Sequence, residues 1–232
     1  MSHWSLLDLF HFLGSGVCHQ LPARSLQAGG HALPLCARDT GTYLGLALGL
    51  LAILLLRRAR ASLVASWPVL ACCGLFFVAW GADGLNSYLV LLGQPHVYEP
   101  SNTLRLLTGI LQGLALIIVV WPVAAFTFWR QAEHRRVIRG HELALLVGIA
   151  LLVVALLSLP LDFPRYVAGI LSGLGLVGMF TLLNTLLVAV ALRREGTADT
   201  PRDVLRLLAI ALVPALAELV ILSLLRHWLL GF

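Results

Sequence analysis

Between Gly16 and Gly45 the chain gathers Cys18, His19, Arg24, His31, Cys36, Arg38 and Asp39. Thiolate, imidazole and carboxylate are the donors zinc takes, four in a closed structural site and three plus water in a catalytic one. Cys18, Cys36 and Asp39 are therefore the expected metal ligands. His19 directly follows Cys18, and adjacent side chains strain to reach one ion, so His19 is as readily an acid/base group beside the metal as a ligand. His31 could replace it. No C-x-x-C pair is present, so the spacing is not that of a zinc finger. The alternative is a disulfide between Cys18 and Cys36, which an oxidising compartment would favour.

A second set of polar residues lies farther along. Asn102, Arg105, Gly109 and Gln112 are spaced i, i+3, i+7 and i+10, one stripe down a helix face. Such a stripe is costly against lipid, and charged groups at membrane depth normally face a bundle interior and mark function. With Asp39 and Asp83, Asn102 and Arg105 are expected to line one pocket beneath the cysteine loop, and Asp83 to pair with Arg105, as a structural lock or as working groups. Arg24, Arg38 and Arg105 suit an anion such as phosphate, which guanidinium forks hold well. Glu218, in VPALAELVILS one turn after Pro214, is either neutral or paired at its depth and is assigned to the same pocket, whereas Asn184 is read as a packing hydrogen bonder facing away. His96, Tyr98 and Glu99 in the Gly93–Thr103 loop could close the pocket from above, although a lone loop histidine is usually a solvated surface group.

These groups need elements to position them, and the composition says which. The 232 residues are 59% hydrophobic and 12% charged, with a mean hydropathy of +0.92, against about 45–50% apolar and about 25% charged in soluble domains. A net charge of +5 does not signal nucleic acid, because the basic residues are scattered in short loops between apolar runs. A membrane-crossing helix needs about 20 apolar residues. Six stretches qualify: Thr40–Leu56, Ser62–Trp80 with a polar-tipped continuation to Asn86, Leu104–Trp129, Leu143–Leu161, Tyr166–Leu192 and Val204–Leu225. Trp4–Val17 is too short and polar to cross unaided; Trp4, Leu7, Phe10 and Leu13 recur at helical spacing, which suits an interfacial helix, with a seventh crossing as the alternative. The N-terminus has no basic n-region and no small-residue cleavage site, so no signal peptide is expected.

Arginine counts orient the spans. Arg57, Arg58 and Arg60 follow the first span, Arg130, Arg135, Arg136 and Arg139 the third, and Arg193, Arg194 and Arg202 the fifth. Those loops are expected to be cytoplasmic, where topology and anionic lipid account for them most simply, and the cysteine stretch and C-terminus extracytoplasmic. Gly41, Gly45 and Gly49, Gly109 and Gly113, and Gly169 and Gly173 form ridges on which helix backbones can approach closely.

The motifs CHQLPARS and PLCARDTGTYLG, the aspartate ending the second span, and SNTLRLLTGILQG opening the third resemble an uncharacterised family of predicted bacterial and archaeal membrane proteins, a domain of unknown function numbered 2085. The resemblance covers Gly16 to Gly113 and rests on Cys18, His19, Pro22, Arg24, Ser25, Cys36, Arg38, Thr40, Gly41, Asp83, Asn102, Arg105 and Gly109. It implies a membrane protein and no particular activity. The family often carries a third cysteine where this chain has Asp39, which leaves a mixed sulfur, nitrogen and oxygen site.

The expectation is an all-α polytopic bundle in one integral-membrane domain, residues 1–232, with an N-terminal motif segment over 1–39 and six spans over 40–232. Its expected function is a metal-dependent hydrolase or transferase of the cell membrane, with zinc as cofactor and a lipid or lipid-linked anionic substrate. His19, Asp83 and Arg105 are its expected catalytic residues. Arg24, Arg38, Asn102, Gln112 and Glu218 are expected to contact substrate. The alternative is a non-enzymatic transporter or assembly factor stapled through Cys18 and Cys36. No nucleophile elbow, HExxH or Gly-rich phosphate loop is present to decide.

Overall fold

The structure, a computed structural model, describes residues 6–230. Trp4, an expected contributor to the first helix, lies outside them. Among the described residues six helices are long and apolar enough to cross a bilayer: α2 (Ala37–Leu55), α3 (Trp67–Leu91), α4 (Asn102–Phe128), α5 (Gly140–Ser158), α6 (Asp162–Ala191) and α7 (Pro201–Leu230). They correspond to the six apolar stretches. The second runs as one helix to Leu91 because no breaker interrupts it before Gly93, whose φ of +65° ends it.

The short helix α1 (Leu6–Ser15) buries Phe10 and Leu13 against α6 and α7. Its 10 residues span about 15 Å, too little to cross. Gly173 of α6 makes room for it, since a methyl there would overlap the Phe10 ring.

The central helix is α4, and α2 packs against it along the glycine ridges. A β-carbon on Gly45 would overlap the Ile110 carbonyl, one on Gly113 the Thr42 carbonyl, and one on Gly109 the Arg38 carbonyl. The two ridges therefore meet backbone to backbone, the close approach that small residues allow. That contact fixes the start of α2, and every motif residue near it, against the start of α4.

Between α1 and α2 the chain makes a 3-10 turn over Pro22–Arg24 and a hairpin of β1 (Gln27–Ala28) and β2 (His31–Ala32). Gly29 and Gly30 form its tip, both at positive φ, as a two-residue primed turn requires. The Gly29 amide donates to Asp162 Oδ1 at 2.8 Å and Arg165 donates to the Gln27 carbonyl at 3.2 Å, which ties the hairpin to the start of α6.

The opposite end holds the arginine loops, and there the structure departs from expectation. β3 (Ala61–Leu63) pairs in parallel with β4 (Glu133–Arg136), and Arg58, buried at 3% exposure, makes a two-pronged pair with Glu142 at 2.5 and 2.6 Å. Arg60 stacks on Trp129, whose indole donates to the Ala59 carbonyl at 2.9 Å. Arg58 is thus a buried lock that ties the loop after α2 to the first turn of α5.

Candidate functional site

Cys36 precedes the first turn of α2, and Cys18 ends the turn that closes α1, its amide donating to the Gly14 carbonyl at 2.9 Å. Two devices hold these turns together. Gln20, at a left-handed φ of +52°, donates through Nε2 to the carbonyls of His11 at 2.6 Å and Pro34 at 2.7 Å. Arg226, in the last turns of α7, donates to the carbonyls of Ser15, Cys18 and His19, the last at 3.0 Å. Arg226 escaped the sequence reading because its partners are backbone atoms more than 200 positions away; its one signal is an arginine at the far end of an apolar helix from Arg202 and Arg206.

The result is a compact donor set. The Cys36 amide donates to Cys18 Sγ at 3.2 Å, Cys36 Sγ donates to Asp39 Oδ2 at 3.2 Å, and the donor atoms of Cys18, Cys36 and Asp39 all lie within 4.8 Å of one another. Ligands of one tetrahedral zinc, bound at about 2.0–2.3 Å, sit roughly 3.3–3.8 Å apart, so small rotamer changes would close this triad on an ion. The hydrogen bond with Cys36, then burial, then the nearby Asp39 carboxylate raise the Cys18 thiol above its ordinary range. Both cysteines are free thiols. His19 and His31 are exposed and lie outside the triad. Tyr43, one helical turn after Asp39, packs against the same cluster with Leu13, Leu35, Leu176 and Leu219; sequence reading missed it because a tyrosine at helical spacing looks like core.

On the other side of α2 lies the second constellation. Asp83 is buried at 2% exposure, and its ion-pair partner is Arg38, not Arg105. Arg38 reaches it past Gly84, where a β-carbon would stand 3.7 Å from Arg38 Nη1, an ordinary contact. Arg38 Nε donates to Asp83 Oδ2 and Nη2 to Ser87 Oγ, each at 3.1 Å. Arg105 instead turns back to Asn102 Oδ1 at 2.8 Å. The Asn102 amide donates to the carbonyls of Ala23 and Ser25 at 3.3 and 3.4 Å, and Arg24 donates to the Ser87 carbonyl at 2.9 Å. Gln112 lies deeper on the same stripe, buried, with no hydrogen-bond partner for Oε1.

The loop before α4 covers this cluster. Asn86 accepts from the Val97 amide and donates to the Tyr98 carbonyl, both at 2.8 Å, and the Tyr98 hydroxyl donates to Asp83 Oδ1 at 2.8 Å. Desolvation and this bond push the Tyr98 phenol up to about 12, which keeps it a donor. His96 and Glu99 stay outside as a surface pair at 2.9 Å.

Glu218 is not at this mouth. It is exposed on the flank of α7 and accepts from Asn184 of α6 at 3.0 Å, because α6 and α7 run side by side. Cys73 of α3 is buried, but its neighbour Cys72 is exposed on the outer face of the helix, so only one of the pair behaves as core.

Comparison with known proteins agrees with this architecture. An uncharacterized protein of Methanocaldococcus jannaschii is 24% identical over 122 residues, which cover 52% of this chain and 72% of the relative. No solved structure matches the chain. Residues 18–119, which carry both constellations, match the model of the family described as predicted membrane protein (DUF2085), and in that region this multi-pass chain is similar to that family.

Proposed function

We propose that the protein is a metal-dependent hydrolase or transferase acting at the motif end of the bundle on a lipid or lipid-linked anionic substrate. The observation that carries this reading is the convergence of Cys18, Cys36 and Asp39 within 4.8 Å. Three donors of these types fit zinc and leave a fourth position for water, whose pKa zinc lowers toward neutrality. Around them the chain supplies orientation: Arg226 holds the Cys18 turn by its carbonyls, and the start of α4 braces the start of α2. His19 stands exposed at the rim, where it can exchange protons with water. Asp83, engaged by Arg38, Tyr98 and Thr108, acts on the position of those groups. The arginine counts support a motif end on the extracytoplasmic face of the cell membrane.

The contact between Cys18 and Cys36 also supports a second reading, a non-enzymatic transporter or assembly factor in which one two-electron oxidation joins the thiols as a staple. Metal analysis with intact-mass measurement separates the two. The enzyme reading expects close to one equivalent of zinc per purified chain and loss of most of it in Cys36→Ser. A chain two hydrogens lighter than the free-thiol mass and free of metal would overturn it in favour of the staple.

A further inference from the structure

We propose that Arg24 and Arg105 form a binding site for a phosphate group, an inference that rests on the reading of the motif end as a substrate site and names the substrate class. The argument is a charge count around one buried cation. Arg24, Arg38 and Asp83 are the formal charges acting on Arg105, together with the Cys36 thiol. Asp83 is spoken for: one oxygen takes Arg38 and Thr108 and the other takes Tyr98. Three guanidiniums therefore share one carboxylate, and that carboxylate belongs to Arg38.

Arg105 is 7% exposed, the only hydrogen bond of its guanidinium among the described residues goes to the neutral Asn102 amide, and its buried Nε has no partner. Among the described residues the Arg24 guanidinium donates only to the Ser87 carbonyl. Burying a charge without a counter-ion is strongly unfavourable, so this arrangement is complete only with an anion.

The two arginines are also built to converge. Asn102 accepts from Arg105 and donates to the carbonyls on either side of Arg24, so a single amide clamps the turn that carries one guanidinium to the helix turn that carries the other. Two forks approaching from different elements match an acceptor with three or more oxygens and up to two negative charges. Phosphate has that shape, whereas a carboxylate satisfies one fork. Tyr98, pinned through Asn86, closes the cluster toward the loop side.

The phosphate could be free or part of a lipid headgroup, and the test separates the sources. Detergent-solubilised full chain is titrated with dihexanoyl phosphatidic acid, with inorganic phosphate and with dihexanoylglycerol, following thermal melting and calorimetric binding. Phosphatidic acid is expected to bind and raise the melting temperature while dihexanoylglycerol does neither. Inorganic phosphate binding as tightly would identify free phosphate as the ligand of the same site. Arg24→Gln and Arg105→Gln are each expected to weaken binding at least tenfold, with Arg165→Gln, an arginine at the same end held by carbonyls, unchanged. Arg24, half-buried in a turn, keeps the test decisive if Arg105→Gln does not fold. A chain that purifies without zinc and still binds phosphate would overturn the metalloenzyme reading and leave this site standing. No binding of either phosphate compound, or unchanged affinity in Arg24→Gln, would overturn the site.

Discussion

At the scale of single residues the decisive contact is the one Asp83 makes. A carboxylate at 2% exposure with a guanidinium at 17% is tolerable as a pair and expensive when either is removed alone. Asp83→Asn should lower stability by about 3 kcal/mol, read as a drop in thermal midpoint in detergent. Arg38→Gln combined with Asp83→Asn should recover most of the loss, whereas Arg105→Gln combined with Asp83→Asn should not. Equal rescue by the two would contradict the pairing. The residue types and the shared end of the bundle were legible: an aspartate at the tip of one span and arginines on the next elements had to meet. Which arginine reached the aspartate was not, because that depends on how α2 seats against α4 and on Asn102 drawing Arg105 back.

At the scale of elements the α2–α4 contact organises the mouth. Gly45→Ala or Gly113→Ala places a methyl on a facing carbonyl, and relief requires the two helices to separate, at a cost of roughly 1–3 kcal/mol or more. Gly74→Ala, on α3 with nothing within 4 Å of its β-carbon, should be neutral or slightly stabilising through helix propensity. Melting the three variants side by side checks the ridge: equal midpoints for all of them would remove it. The glycine spacing on both spans was visible in the chain. That the two ridges face each other, while Gly169 and Gly173 face the loop residue Leu33 and Phe10 of α1, is a matter of neighbours that periodicity does not encode. The same limit explains Glu218: its depth was readable, but the side of α7 it occupies depends on where α6 lies.

At the scale of the whole molecule the two ends of the bundle differ in kind. The motif end carries the thiols, the hairpin and the polar cluster; the other carries the arginine loops, knitted by the β3–β4 pair and the Arg58–Glu142 lock. With arginine retention orienting the chain, His31→Cys at the exposed hairpin should react with a membrane-impermeant thiol reagent added to intact cells, and Arg136→Cys only after the cytoplasmic face is opened. Both positions are exposed, so reactivity reports sidedness and not burial. Labelling in the reverse order would invert the topology and move the mouth to the cytoplasm.

The sequence by itself determined the membrane setting, the number of spans and which donor residues gather near the N-terminus. Each follows from local quantities: runs of about 20 apolar residues, arginine counts per loop, and donor types clustered within one short stretch. Tertiary structure decided the pairings. Cys18 and Cys36 meet because Gln20 and Arg226 fold the loop back, Asp83 finds Arg38 and not Arg105, Arg58 is buried against Glu142, and Glu218 meets Asn184. A contact between residues far apart in the chain is set by which helix faces oppose each other, and in a bundle apolar on nearly every side the hydrophobic pattern leaves that choice to glycine ridges and a few long polar side chains.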